Sequence, residues 1–408
     1  MRVVVTGMGV VSPLGNAVSI LVSELLAGRS GVRRISVFDA SGLPTRIAGE
    51  ARLPEDAPLG DRKIAFALEA ARQAMAQANW PTDFTSLGGV SMGVGLELFK
   101  MPDLVELKRD TFVPRETLRE RLGFMQTPSD ICVHLLAHRY GLRKPPLVHV
   151  SACAAGTDAI GTAFRLIRSG RRRCMLAGGT DSMINPLGVA GFCALQATTT
   201  RNDEPTRASR PFELRRDGFV MGEGAGVLAL ERWDDARARG ATILAEIAGY
   251  GTSFDAYKIS DPHPEGFGAY LAMSRAMDDA KINAEQIDAV NAHGTGTPKN
   301  DPAETLALKR LFGSRAHRVP ISATKSMLGH LISAAGAVEA IASIGCMLEG
   351  RVHPTINLDQ PDPMCDLDYV PHTSRAHAQT HVLSSSYGFG GQNAAILLRH
   401  PGAMTEFS

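Results

Sequence analysis

Cys153 lies in Ser151-Ala152-Cys153-Ala154-Ala155-Gly156, between a strand-like run, Pro146-Leu147-Val148-His149-Val150, and a helical run reaching Ile167. That setting admits two roles. One is a small packing thiol, the common fate of an intracellular cysteine. The other is a nucleophile on a sharp turn. Small neighbours let a substrate carbonyl approach, and the N–H groups opening the next helix favour thiolate and can receive an oxyanion. The local sequence leaves both open. Two histidines in unusual settings tip it toward the nucleophile. His293 sits in Val290-Asn291-Ala292-His293-Gly294-Thr295-Gly296-Thr297, a strand end running into a Gly/Thr loop, which predicts an exposed imidazole with hydroxyls beside it. His330 ends Lys325-Ser326-Met327-Leu328-Gly329-His330, where it and Lys325 border an Ala/Gly-rich helix. The other histidines read as surface or hydrogen-bonded core residues, and Cys132, Cys174 and Cys346 as packing residues.

The elements that position these residues echo one another. Arg2 to Thr6 reads as a strand followed by Gly7-Met8-Gly9, and Ile243 to Ile247 as a strand followed by Ala248-Gly249-Tyr250-Gly251. The strand before Cys153 is matched by Val319-Pro320-Ile321-Ser322, which leads to Lys325, His330 and a helical run to Leu348. Cys174 to Ala177 before Gly178-Gly179 is matched by Val382 to Ser385 before Gly388-Phe389-Gly390-Gly391. Strands alternating with helices predict an α/β fold with parallel sheets. The expected division is two similar halves joined near Ala241, with 1–240 carrying the cysteine and 241–408 carrying both histidines. Gly7-x-Gly9 could open a dinucleotide fingerprint, but position 12 is serine and nothing else supports a nucleotide.

Composition narrows the class. The 408 residues carry a formal charge of +1 from 43 basic and 42 acidic side chains, so no global field draws the chain to nucleic acid or anionic lipid. An acidic partner must meet a local basic patch. The apolar run Ile332 to Leu348 contains Glu339 and many small residues and reads as a buried helix rather than a membrane span. Met1 to Gly7 reads as a strand, without the basic, apolar and small-residue regions of a signal peptide. The six cysteines include no Cys-x-x-Cys pair, which points away from zinc or a disulfide scaffold and toward a reducing cytoplasm.

Further motifs complete the pattern: Arg2-Val3-Val4-Val5-Thr6-Gly7-Met8-Gly9, Ser12-Pro13-Leu14-Gly15, Arg201-Asn202-Asp203, Ser209-Arg210-Pro211-Phe212, Arg216-Asp217-Gly218-Phe219 through Gly226, and Ser386-Tyr387-Gly388-Phe389-Gly390-Gly391. With the Cys153, His293 and His330 motifs, and nearly end to end, the chain resembles the β-ketoacyl-acyl-carrier-protein synthases of the elongating type I/II group. The resemblance implies a thiolase-like α/β fold, two pseudo-symmetric βαβαβ-type halves in a five-layer αβαβα arrangement, usually dimeric. It implies that Cys153 accepts an acyl chain and that His293 and His330 stabilise a decarboxylating malonyl-type extender. The N–H groups of Cys153 and Phe389 would form the oxyanion hole, with Phe389 as a gate. Lys325 would orient the His330 region, and Glu339 would hold the loop around that histidine. Thr295, Thr297, Gly390 and Gly391 would meet the phosphopantetheine arm, and Leu96, Glu97 and Phe192 would line the acyl pocket. No cofactor or metal is implied. The partner is an acidic acyl carrier protein, for which Arg62, Lys63 and Arg207 are candidate contacts.

The chain departs from the housekeeping members of that group at Ser151 and Ala154-Ala155 around the nucleophile, at Gln392 after the gate, between Arg52 and Arg62, and at Gly93-Val94-Gly95-Leu96-Glu97-Leu98-Phe99. The last replaces a glycine-rich run with bulk and charge, either an inconsequential loop change or a reshaped acyl pocket. These departures set a specialised polyketide or polyene pathway beside fatty-acid synthesis. Two other readings stand: a biosynthetic thiolase, which shares fold and nucleophile but uses a second cysteine, and a non-catalytic chain-length-factor-like subunit, which lacks the active cysteine. Such a subunit would make the assembly a heterodimer rather than a homodimer.

Overall fold

The computed structural model describes residues 1–53, 61–95 and 130–404. Leu96 and Glu97 lie outside the described residues, as does the 54–60 part of the Arg52 to Arg62 stretch. Ten strands form one sheet: β1 (Val3–Val11), β2 (Gly89–Val94), β3 (Leu147–His149), β4 (Cys174–Asp181), β5 (Gly224–Arg232), β6 (Ala245–Phe254), β7 (Ala289–Asn291), β8 (Ile321–Ser322), β9 (His381–Gly388) and β10 (Gln392–Arg399). Their order is β8-β7-β9-β10-β6-β1-β5-β4-β2-β3. Reading outward from the middle, β1-β5-β4-β2-β3 mirrors β6-β10-β9-β7-β8. Within the sheet the halves are joined along one short antiparallel stretch, Val3 to Val5 against Ala245 to Ile247.

The sheet is mixed, which corrects the expectation of parallel sheets. The outer strands of each half are parallel, but β5 runs antiparallel to β1 and β4, and β10 antiparallel to β6 and β9. Alternating strands and helices fix the crossovers, whereas β9 turns straight into β10 through Phe389-Gly390-Gly391, and a tight turn can only reverse direction.

Alternation along the strands separates three apolar layers. Met175 and Ala177 of β4, Leu228 and Leu230 of β5, and Ala394, Ile396 and Leu398 of β10 face one central core. Their neighbours face outward: Leu176, Val227 and Ala229 meet Phe66, Ala67 and Ala70 of helix α1 (Arg62–Ala78). Ala395 and Leu397 meet Ala272 and Met273 of α3 (Phe267–Ala280) and Leu308 of α4 (Asn300–Phe312). The central core is filled by α2 (Ala155–Arg168) and α5 (Ala335–Leu348), each touching strands of both halves. The result is helix, half-sheet, helix, half-sheet, helix: the five layers expected. Strands buried on both faces read as continuous apolar runs for this reason. Among the described residues no helix is long and apolar enough to cross a membrane.

The central helices are small-residue rich because they nearly touch. A Cβ on Gly156 would lie 2.8 Å from the Ser333 carbonyl oxygen, and one on Gly336 would lie 2.0 Å from Thr157 Oγ1. Each helix follows a single 3-10 turn, Ala152–Ala154 or Ile332–Ala334, whose first residue has a positive φ (48° at Ala152, 46° at Ile332). The counterpart of Cys153 is therefore Ser333, followed by Ala334-Ala335-Gly336 as Cys153 is by Ala154-Ala155-Gly156. The echo between the Cys153 motif and Thr324 to His330, read from the sequence, sits a few residues too early.

Candidate active site

Cys153, His293, His330 and Phe389 line one cavity of about 320 Å³, together with Thr295 and Thr297. Among the described residues Cys153 is the one cysteine on its wall. Cys132, Cys174, Cys346 and Cys365 are buried packing residues, and all six thiols are free.

His293 follows β7 in the loop read as exposed, yet it is only 3% exposed. The reason lies on α4. Glu304 accepts the backbone N–H of His293 at 2.7 Å and of Gly294 at 2.8 Å, and Asp301 accepts that of Gly296 at 3.2 Å. Two buried carboxylates thus satisfy a loop that otherwise needs water. Burial pushes Glu304 up to about 7, against those N–H groups. The sequence reasoning missed both acids; the run Asn300-Asp301-Pro302-Ala303-Glu304 after the Gly/Thr loop was the available signal.

Lys325 lies 3.2 Å from His293 Nδ1 and donates to Glu339 Oε1 at 2.5 Å. This corrects the expectation that Lys325 serves the His330 region. Its neighbour in sequence is His330, but its short helix aims the side chain across to β7. Glu339 correspondingly answers the lysine rather than the His330 loop. That loop is held by backbone: His330 N–H donates to Val220 O at 2.7 Å, and Gly222 N–H to His330 O at 2.8 Å.

These contacts fix both tautomers. An ammonium only donates, so His293 Nδ1 is an acceptor and its proton sits on Nε2. His330 Nδ1 accepts the Ile332 N–H at 3.1 Å, which also leaves its proton on Nε2. Among the described residues that buried Nε2 has no hydrogen-bond partner. A buried donor left open costs about 1–3 kcal/mol and calls for an explanation. The rings stand 5.3 Å apart at 84°. Burial first, and then the Lys325 charge, push both imidazoles well below their ordinary value, so both are neutral donors.

Burial likewise pushes the Cys153 thiol up to about 11, while the Lys325 charge and the backbone N–H groups of Phe389 and of Cys153 itself draw it down. The resting group is thus a thiol, not the thiolate expected from the helix terminus alone. Both N–H groups thus reach the Cys153 sulfur.

Phe389 sits on the β9–β10 turn, where Gly390 and Gly391 take φ of 92° and 83°. The turn is latched to the 255–259 segment: Gly390 N–H donates to Ile259 O at 2.6 Å, Asp255 N–H to Gly391 O at 2.8 Å, and Asn393 Nδ2 to Asp255 Oδ1 at 2.9 Å. Phe389 packs on Phe192, Phe192 edge-on against Phe219, and Phe219 edge-on against His330. Phe192 therefore packs in the same apolar cluster as Cys153 but is not itself among the residues lining the cavity. Of the candidate carrier contacts, Lys63 is buried against Asp61, Arg62 is tied to the buried Glu223, and half-exposed Arg207 pairs with Asp359. Lys63 is thereby removed as a surface contact.

Comparison with known proteins shows the family. Residues 1–236 match the β-ketoacyl synthase N-terminal domain and residues 244–359 the C-terminal domain. A 3-oxoacyl-(acyl-carrier-protein) synthase 2 of Coxiella burnetii is 42% identical over 406 residues, covering 97% of this chain and 98% of that one. A ketosynthase complex described as a type II PKS acyl-carrier protein with its ketosynthase bound to the hexaketide superimposes with a TM-score of 0.88 at 33% identity, covering 98% and 99% of the two chains. The ishigamide ketosynthase/chain length factor gives 0.85 at 33% identity over the same shares. The chain belongs to the β-ketoacyl synthase family.

Proposed function

We propose that this acyltransferase loads an acyl chain onto Cys153 and condenses it with a malonyl unit whose decarboxylation is driven by His293 and His330. In the first stage the sulfur attacks the carrier thioester carbon, and its proton passes to the departing carrier sulfur. The tetrahedral oxyanion sits on the N–H groups of Cys153 and Phe389, and collapse releases the carrier thiol. In the second, the C–C bond to the malonyl carboxylate breaks, CO₂ departs, and the electron pair becomes an enolate whose oxygen accepts from two Nε2–H groups. The enolate carbon attacks the acyl-Cys153 thioester, the C–S bond breaks, and Cys153 is regenerated. The carrying observation is that both imidazoles are neutral and tautomerised to offer Nε2–H into the cavity of Cys153. Charge develops only on decarboxylation, so these donors act on the transition state more than on bound substrate.

Glu339 and Lys325 hold His293, and Thr295, Thr297 and the Gly390-Gly391 turn flank a phosphopantetheine arm. The partner is an acyl carrier protein, the companion of the type II PKS ketosynthase that this chain resembles, and the proposed assembly is a homodimer in the cytoplasm. Six free thiols support that compartment. The thiolase reading would need a second reactive cysteine, and a chain-length-factor-like subunit would lack the first. The test is intact mass after incubation with a panel of acyl-carrier thioesters. Loading at Cys153, abolished by Cys153→Ala, is expected. No loading and no cerulenin label would favour the non-catalytic subunit.

A further inference from the structure

The turn that presents Cys153 does not rest in a relaxed conformation. Ala152, the residue before the nucleophile, has φ 48°, a left-handed backbone that disfavours alanine. Something must hold it, because its orientation aims the N–H of Cys153. Ser151 is the candidate handle. It is buried, its Oγ donates to Asp158 Oδ2 at 2.5 Å, and its carbonyl accepts the Ala154 N–H at 3.0 Å. A Cβ on Gly388, next to the Phe389 gate, would come within 2.8 Å of that carbonyl.

Asp158 projects from the first turn of α2, and its second oxygen accepts from the Tyr250 hydroxyl of β6 at 2.7 Å. Tyr250 is itself fixed: its N–H donates to Asp279 Oδ2 at 3.1 Å, and the Arg165 guanidinium lies 4.6 Å over its ring. Among the described residues the carboxylate hydrogen-bonds to two hydroxyls and to no cation, an arrangement that fixes direction rather than neutralising charge. It ties the nucleophile's turn to the first half's helix and the second half's first strand at once.

We propose that Asp158 is a positioning residue for acyl transfer, bracing the strained Ser151-Ala152 turn so that the Cys153 N–H faces the forming oxyanion. The inference rests on Cys153 being the acyl acceptor. Its consequence is selective: acyl transfer uses that N–H, whereas decarboxylation uses imidazoles carried by the other half. Misplacing a reacting group by about 1 Å can cost up to about a hundredfold.

The test compares Ser151→Ala, Asp158→Asn, Tyr250→Phe and Ser151→Thr in the full-length protein. Acyl transfer is followed as the rate of Cys153 loading from an acyl-carrier thioester. Decarboxylation is followed as CO₂ release from malonyl-carrier by enzyme first carboxamidomethylated at Cys153. Loading slowed about tenfold or more in Ser151→Ala and Asp158→Asn, with CO₂ release within about twofold and recovery in Ser151→Thr, supports the proposal. Loading at the wild-type rate overturns it. Loading and CO₂ release falling together, with a lowered unfolding midpoint, also overturns it by showing a merely structural role. If wild-type enzyme does not load Cys153 at all, the underlying reading fails, an outcome distinct from equal loading by all variants.

Discussion

Removing the Lys325 ammonium separates two effects that the geometry places on one side chain. Lys325 and Glu339 are each 2% exposed. Lys325→Ala leaves a buried carboxylate without its counter-charge, a loss of about 3–5 kcal/mol against a typical total of roughly 5–15. Burial already pushes Glu339 up, and the lysine holds it down. Without the lysine the carboxyl rises further, so the variant's deficit is smallest below about pH 4.5 and grows as pH rises toward the new folded value. The second effect is catalytic. The ammonium is what confines the His293 proton to Nε2; without it the other tautomer becomes available and one of two enolate donors is lost. Losing one such donor costs about 10²–10³ in rate, roughly 3–4 kcal/mol. The two losses are similar in size, but Lys325→Ala/Glu339→Gln divides them. It removes the orphaned charge, so urea unfolding should recover most of the stability. CO₂ release from malonyl-carrier by Cys153-alkylated enzyme should stay depressed about a hundredfold or more. A double variant that regains both, or a Lys325→Ala protein that decarboxylates at the wild-type rate, would refute the tautomer argument.

Glu304→Gln probes the acid beneath His293. A group raised from 4.5 to about 7 stabilises the fold fully below the lower value and loses that contribution as pH rises through the upper one. The stability advantage of wild type over Glu304→Gln should therefore shrink by up to about 3 kcal/mol between pH 5 and pH 8, and a difference independent of pH in urea titrations would contradict it. Gly156→Ala places a methyl 2.8 Å from the Ser333 carbonyl oxygen, so denaturation should show a loss of about 1–3 kcal/mol. A gain, as helix propensity alone would give, would mean that the central helices do not cross so closely. Phe192→Ala opens space beside Cys153 between Phe219 and Phe389. Intact-mass loading should shift toward longer or bulkier acyl groups by about tenfold or more, and an unchanged profile would place the acyl chain elsewhere.

Cys153 and His293, which the structure brings to one cavity with His330, were legible because each follows a strand end among small residues, and such junctions are written in local sequence. Their partners were not. Lys325 precedes His330 by a few residues, yet bonds His293, because the direction of one short helix turn outweighs proximity along the chain. His293 looked exposed because a Gly/Thr loop is polar; Glu304 and Asp301 bury it from a helix whose inward face carries acids, against the usual pattern. The mixed sheet was hidden for a similar reason, since strand direction at β9–β10 depends on a turn and not on composition.

The deeper regularity is the duplicated turn. Ala152 and Ile332 share a left-handed backbone, and each opens a central helix, with the two N-terminal ends packed together at Gly156 and Gly336. One copy presents a thiol at Cys153. The other presents Ser333, whose N–H binds the buried Asp181 carboxylate at 3.1 Å, and brings His330 in just before its turn. The α2 terminus at Cys153 and the Lys325 ammonium therefore bring positive potential to one small cavity, whereas the α5 terminus is answered by Asp181. Burial first, and the Lys325 charge second, keep the histidines there neutral, and under the proposed mechanism that charge favours each anion in turn: thiolate, tetrahedral oxyanion and enolate. Burial opposes the first of these strongly, which is why Cys153 rests as a thiol. A carbonyl seated on the Cys153 and Phe389 N–H groups changes that balance, because the charge then moves from sulfur to an oxygen that the field and both donors already face.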